Sequence, residues 1–347
     1  MMQSYAFLLK KNKGFDFTHG IVITLLLAVT AKYLAGFPWL NVMGQLIIAI
    51  LLGMAWRAVA GAPGQRVMAG VSFSSKKLLR YGIVLLGMRL HLMDIVHAGP
   101  KVFAVAAINI AFTILFVYSL SKLLKVQSRL GMLTACGTAI CGAAAVVAIA
   151  PQMKASDNET AVSAATVAIL GTVFTIVYTV LYPFLGLSDY GYGVFAGATL
   201  HEVAHVVAAS APVGKEAVDM AVIVKLSRVA LLVPVAVIIG IWANRLERKK
   251  HGEENPSQGK PISIPWFILG FLVMSGIHTS GVIPAEATDQ LLTISYLLIA
   301  MAMAGLGLNV DVDIFRRMGK TALMAGLIGS VALSVLGFGL VHLFGLL

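Results

Sequence analysis

The chain has 347 residues, 59% of them hydrophobic and 12% charged, with a formal net charge of +11. A soluble domain carries about 25% charged residues, and apolar runs of roughly 18 or more recur along this chain, so a soluble fold around one core is excluded. Two cysteines, Cys136 and Cys141, exclude a disulfide scaffold or a cysteine-rich metal cluster, and basic loops on a membrane protein account for the charge without nucleic acid.

Lys10, Lys11 and Lys13 precede the apolar run 21–35 as they would in a signal peptide. No small-residue cleavage site follows, so the run is read as a first span. Helical segments are predicted near 19–36, 40–56, 78–93, 101–123, 129–151, 160–185, 190–210, 218–244, 264–281, 290–309 and 320–345. The expected fold is an all-α polytopic membrane protein of about eleven transmembrane helices. The fifth and seventh segments are rich in Gly, Ala and Thr, which points to broken core helices. Residues 1–18 read as a cytoplasmic N-terminal segment and 19–345 as one transmembrane domain. The stretch 245–262 is its long polar cytoplasmic linker.

Charge asymmetry orients the chain, because Lys and Arg accumulate in cytoplasmic loops. With the N-terminus inside, nineteen Lys and Arg fall on inner segments and only Lys101, Lys154 and Lys215 on outer loops. Lys32, Arg89, Lys225 and Arg228 lie in or at the ends of spans. The expected topology is N-terminus cytoplasmic and C-terminus periplasmic.

Two internal echoes bear on the fold. Pro38-Trp39 opens the second segment and Pro265-Trp266 the ninth; Gly87-Met88-Arg89-Leu90 ends the third and Gly305-Leu306-Gly307-Leu308 the tenth. Segments two to four thus echo nine to eleven, an odd displacement that marks an inverted-topology repeat. A second echo pairs 137–148 with 197–208, in segments five and seven. Its even displacement does not fit simple inversion.

The run TACGTAICGAAAVVAIAP at 134–151 packs small residues where backbones approach closely, and beside a helix break it would also offer backbone N–H groups to an anion. Tight helix packing and a ligand site both fit that spacing. His201-Glu202-Val203-Ala204-His205 matches H-E-x-x-H, in which two histidines one turn apart bind zinc and the glutamate is the base. Zinc needs a third protein ligand, and the nearest candidates, Asp311 and Asp313, lack the context of an intramembrane protease. Lys225 and Arg228 share a face of the next segment. An ionisable group inside a membrane pairs or works. A structural pair between Glu202 and Lys225 or Arg228 is one reading. The other is a solute site in which two cations neutralise an anion while Glu202 or a histidine exchanges a proton.

The segment GTAICGAAAVVAIAP, the stretch HEVAHVVAA at 201–209 and the run RYGIVLLGMRL at 80–90 resemble the sulfate exporter family, the YeiH-type bacterial inner-membrane proteins. The resemblance covers the chain from about residue 20 onward. That family is similar to the cation/proton antiporter and bile-acid symporter superfamily, so the resemblance implies inverted repeats with crossed, broken helices and export of a small anion, sulfate or an organosulfonate. By the same analogy a homodimer is the expected assembly.

The candidate substrate site is therefore Thr138, Cys141, Gly142, Ala143, Ala144, His201, His205, Lys225 and Arg228, with Glu202 and His205 coupling a proton. The chain is read as a transporter rather than an enzyme, without cofactor or metal, with a small anion and membrane lipid as partners. An intramembrane zinc protease using 201–205 and an anion channel are the alternatives. Arg89 and His91 end the third segment near the outer surface, where snorkelling explains them as well as function does.

Overall fold

In a computed structural model of the chain, residues 2–37, 45–61, 64–251, 266–309 and 312–346 are described. They are helical almost throughout. The elements are α1 (Met2–Leu34), α2 (Gln45–Ala60), α3 (Gln65–Phe73), α4 (Leu79–Leu86), α5 (Leu92–Leu123), α6 (Ser128–Ala139), α7 (Ala143–Ile149), α8 (Asp157–Leu185), α9 (Asp189–Thr199), α10 (Val203–Ser210), α11 (Lys215–His251), α12 (Trp266–Thr279), α13 (Ala285–Asn309) and α14 (Val312–Leu343). A π-helical turn, Ser74–Leu78, joins α3 to α4, and a 3-10 turn, Gly87–Arg89, ends α4. Among the described residues, six stretches are long and apolar enough to cross a membrane: Asp16–Leu34, Gly99–Leu123, Asp157–Leu185, Lys215–Arg245, Ala285–Asn309 and Met318–Leu343. Pro38, Trp39, Pro265, Asp311 and most of the linker lie outside the described residues.

The helices sort into two bundles. One holds α1 to α4 with α12 and α13; the other holds α5 to α11 with α14. They meet sparsely, mainly where α8 touches α2 and α13 and where α5 touches α12. Glycine lets backbones cross closely in the first bundle: a Cβ on Gly53 of α2 would collide with the Ala304 carbonyl of α13, and one on Gly307 with the Ile50 carbonyl.

The fifth and seventh predicted segments are broken, as their composition suggests, but neither runs straight through. Each is a hairpin of two half-helices. Near the starts of α6 and α8, Ser163 Oγ donates to the Leu130 carbonyl and Thr134 Oγ1 to Ser163 Oγ, both at 3.3 Å. The two helices therefore begin at the same end of the bundle, so α7 must return the chain to where α6 began. Asp157, the first residue of α8, lies at that end too, 3.9 Å from Lys76 and 3.4 Å from Asn309. The second hairpin hangs from the opposite end. Tyr192 Oη, near the start of α9, donates to the Ala209 carbonyl near the end of α10 at 3.3 Å.

The hairpins account for the even displacement of the second echo. An element that turns back reverses nothing, so two hairpins entering from opposite ends are compatible with inversion although two segments apart. The packing agrees, since α6 lies on α8 as α9 lies on α11, α8 on α14 as α11 on α5, and α12 on α4 as α2 on α13. This packing pairs the elements of α2–α8 with those of α9–α14 in permuted order, with α1 outside the pairing.

Local chemistry marks some of these turns. Ser156-Asp157-Asn158-Glu159 forms a capping box that starts α8: Ser156 Oγ accepts from Glu159 N at 3.2 Å and Ser156 N donates to Glu159 Oε2 at 2.7 Å. Gly186, at φ 63°, ends α8, and Ser188 caps α9.

Candidate functional site

The two hairpin tips, 140–142 and 200–202, meet inside the second bundle. At the first, Gly142 adopts φ 68°, ψ −137°, a conformation closed to residues with a Cβ, and a Cβ there would sit 2.6 Å from Glu202 Cγ. At the second, Leu200 and Glu202 are extended, with no glycine or proline at the break. Breaking both helices frees the last carbonyls of α6 and α9 and the first N–H groups of α7 and α10. Glu202 Oε1 accepts from Ala143 N at 3.2 Å, placing a carboxyl on the start of α7.

Lys225 and Arg228 of α11 serve the other ends. Lys225 Nζ donates to the Ile140 carbonyl at 2.6 Å and the Leu200 carbonyl at 2.7 Å. Arg228 spends all three nitrogens on backbone: Nε and Nη2 on Ala139, Nη2 also on Thr138, and Nη1 on Gly197 and Leu200, at 2.6–3.3 Å. Both side chains are fully buried. Two cations thus lie against the negative ends of two half-helices, the arrangement that a helix dipole favours. Neither forms an ion pair with Glu202 among the described residues.

Between the bundles, in front of the tips, lies a cavity of about 600 Å³. Of the candidate residues, Cys141, Ala144 and Glu202 line it. Thr138, Gly142, Ala143, His201, His205, Lys225 and Arg228 are brought to the tips but are not on its wall. His201 is buried behind its tip, with Nε2 3.2 Å from Ser330 Oγ of α14. His205 is fully buried against Gly171 of α8, and both ring nitrogens lack a partner among the described residues. The H-E-x-x-H helix is not formed as zinc binding requires: α10 starts only at Val203, so His201 lies off its face. Among the described residues no three His, Cys, Asp or Glu come together to hold a metal ion.

The wall carries polar groups that spacing did not single out. Arg89, at the end of the 3-10 turn, donates through Nη1 to Tyr296 Oη of α13, and its guanidinium lies 5.7 Å from the centre of that ring. Gln45 Nε2, at the start of α2, is buried without a partner among the described residues. Arg89 ends the third predicted segment, a place where snorkelling explains a cation as well as function does. Its partner lies 207 residues away, so only the packing of α4 on α13 reveals that it faces inward.

The profile of a protein family described as Conserved hypothetical protein 698 matches residues 19–326. The chain belongs to this family. It is 62% identical over 337 residues to a UPF0324 membrane protein of Bacillus cereus, covering 97% of this chain and 98% of the relative. It is 50% identical to one of Oceanobacillus iheyensis and 36% identical to one of Staphylococcus aureus, each covering 96% of this chain and 98% of the relative. This is the YeiH-type group that the motifs at 80–90, 137–151 and 201–209 resemble. With its six long apolar helices, the chain is a multi-pass membrane protein.

Proposed function

We propose that the chain is a secondary transporter of small anions that works by alternating access. The observation that carries this is the meeting of two inverted hairpins, their tips fixed in one bundle, at a cavity shared with a second bundle that touches the first only sparsely. Broken helices expose unpaired backbone groups only where a solute or buried side chain satisfies them. Movement of one bundle against the other would carry the tips past the cavity wall. The zinc protease reading would need a helical H-E-x-x-H, and α10 begins only at Val203.

Counting each hairpin as re-entrant lowers the eleven expected crossings to nine: α1, α2, the α3–α4 unit, α5, α8, and α11 to α14. An odd number keeps the N-terminus inside and the C-terminus outside. It also moves Lys154 to the inner face, leaving only Lys101 and Lys215 outside, so the charge asymmetry sharpens. The single domain 19–345 then comprises both bundles.

Glu202 is the proposed proton site, because it is the one carboxyl on the cavity wall among the described residues. An anion entering beside it favours the protonated form, which couples the two. The proposed direction is efflux. Proteoliposomes loaded with unlabelled sulfate or propanesulfonate are expected to accumulate the labelled anion by saturable exchange. Lack of exchange with either anion, by protein that is folded in the same vesicles, overturns the carrier.

A further inference from the structure

The charges on the cavity wall bear on which anion it takes. Lys225 and Arg228 are turned away, their N–H groups on the carbonyls of Thr138, Ala139, Ile140, Gly197 and Leu200. Among the described residues, Arg89 is the one cation that lines the cavity and Glu202 the one carboxyl. Arg89 uses a single N–H on Tyr296 among the described residues, so most of its fork remains for a ligand. Gln45 Nε2, without an acceptor among the described residues, adds a second donor on the same wall. The rest is almost wholly aliphatic, from Ile83 and Leu86 on one bundle to Val229 and Leu232 on the other, with Phe271.

Such a wall suits a dianion badly. One guanidinium leaves a charge of sulfate uncompensated, and stripping a strongly hydrated ion against aliphatic side chains carries a desolvation cost that no other described group on this wall offsets. A volume of about 600 Å³ also belongs with ligands that have an apolar body. Accepting the carrier reading above, on which this rests, we infer that the cavity takes an amphipathic organic monoanion, its sulfonate or carboxylate head on Arg89 and its apolar body along the aliphatic wall. Arg89 is then a substrate-binding residue, and the neutral, protonated Glu202 lies beside the ligand without opposing it.

The test is equilibrium binding to the purified full chain by titration calorimetry. Propane-, butane- and hexanesulfonate are compared with inorganic sulfate and with hexyltrimethylammonium. Affinity is expected to rise about fourfold for each methylene that is buried. Sulfate should bind at least tenfold more weakly than hexanesulfonate, and the quaternary amine should not bind. Arg89→Gln should lose tenfold or more, and Arg89→Lys should recover part of that loss, which separates a binding role from a folding one. Sulfate as tight as hexanesulfonate, affinity flat with chain length, equal binding of the cation, or an unaffected Arg89→Gln would each overturn the inference. Exchange of sulfate in vesicles without sulfonate binding keeps the carrier and sinks the amphipathic ligand. Sulfonate binding without any exchange sinks the carrier and keeps the site.

Discussion

Replacing Arg228 with leucine separates two roles for the buried cations: holding the hairpin tips or holding an anion. In an unbroken helix the carbonyls of Thr138, Ala139 and Gly197 would accept from N–H groups four residues on. Here Gly142 N turns back to Gly137, Ala143 N goes to Glu202, and α9 has ended before residue 201. Arg228 is what satisfies these three, while Leu200 keeps Lys225. A buried carbonyl left without a donor costs about 1–3 kcal/mol, so the three together are of order 3–9 kcal/mol. Relief of the guanidinium's own desolvation offsets part of this, and a net loss of about 3–5 kcal/mol is expected. Against a total stability of about 5–15 kcal/mol that is a large fraction. Scanning fluorimetry in detergent should show Arg228→Leu melting roughly 5–15 °C below the parent chain. Arg228→Lys should fall between, since it keeps the charge and loses the fork. An Arg228→Leu chain that melts with the parent but no longer exchanges anions would refute this reasoning and put the guanidinium on the substrate.

Three further outcomes follow from the same geometry. With Cys136→Ala and Cys141→Ala as background, Arg129→Cys and Lys154→Cys should react with an impermeant maleimide from one face and Lys215→Cys from the other. Labelling of 129 and 154 from opposite faces would mean that α6–α7 crosses the membrane. Gly142→Ala should lose about 1–3 kcal/mol of stability, read as melting temperature, because the tip needs a positive φ and a Cβ would push on Glu202; an unchanged melt would show that the tip relaxes freely. Glu202→Gln retains an acceptor for Ala143 N–H, so it should fold normally while exchange loses its pH dependence. An intact pH profile in that variant would move the proton site elsewhere.

Much of this architecture is determined by the order of residues alone. Apolar runs long enough to span a bilayer, the inner bias of Lys and Arg, and the small-residue tract around Gly142 are local properties. So is the helix break at Gly142, since only glycine adopts φ 68° there without strain. The capping box at Ser156 is equally local, and it signals that a new helix starts soon after the first hairpin.

Composition marks the seventh segment as broken too, but no glycine or proline fixes where the second break falls. Leu200, His201 and Glu202 leave the helix although none is a helix breaker, because Lys225 and Arg228 take the carbonyls that continuing it would need. Whether a broken segment crosses or turns back is likewise not a property of the segment. It depends on which helix start lies beside which, as Ser163 beside Leu130 shows, and such contacts join residues far apart in the chain. The same holds for charge. Along the sequence Lys225 and Arg228 read as site cations and Arg89 as a segment end, yet tertiary packing turns Lys225 and Arg228 toward backbone carbonyls and Arg89 toward the cavity, because a buried cation goes wherever unpaired acceptors are, and only the assembled fold decides where those lie.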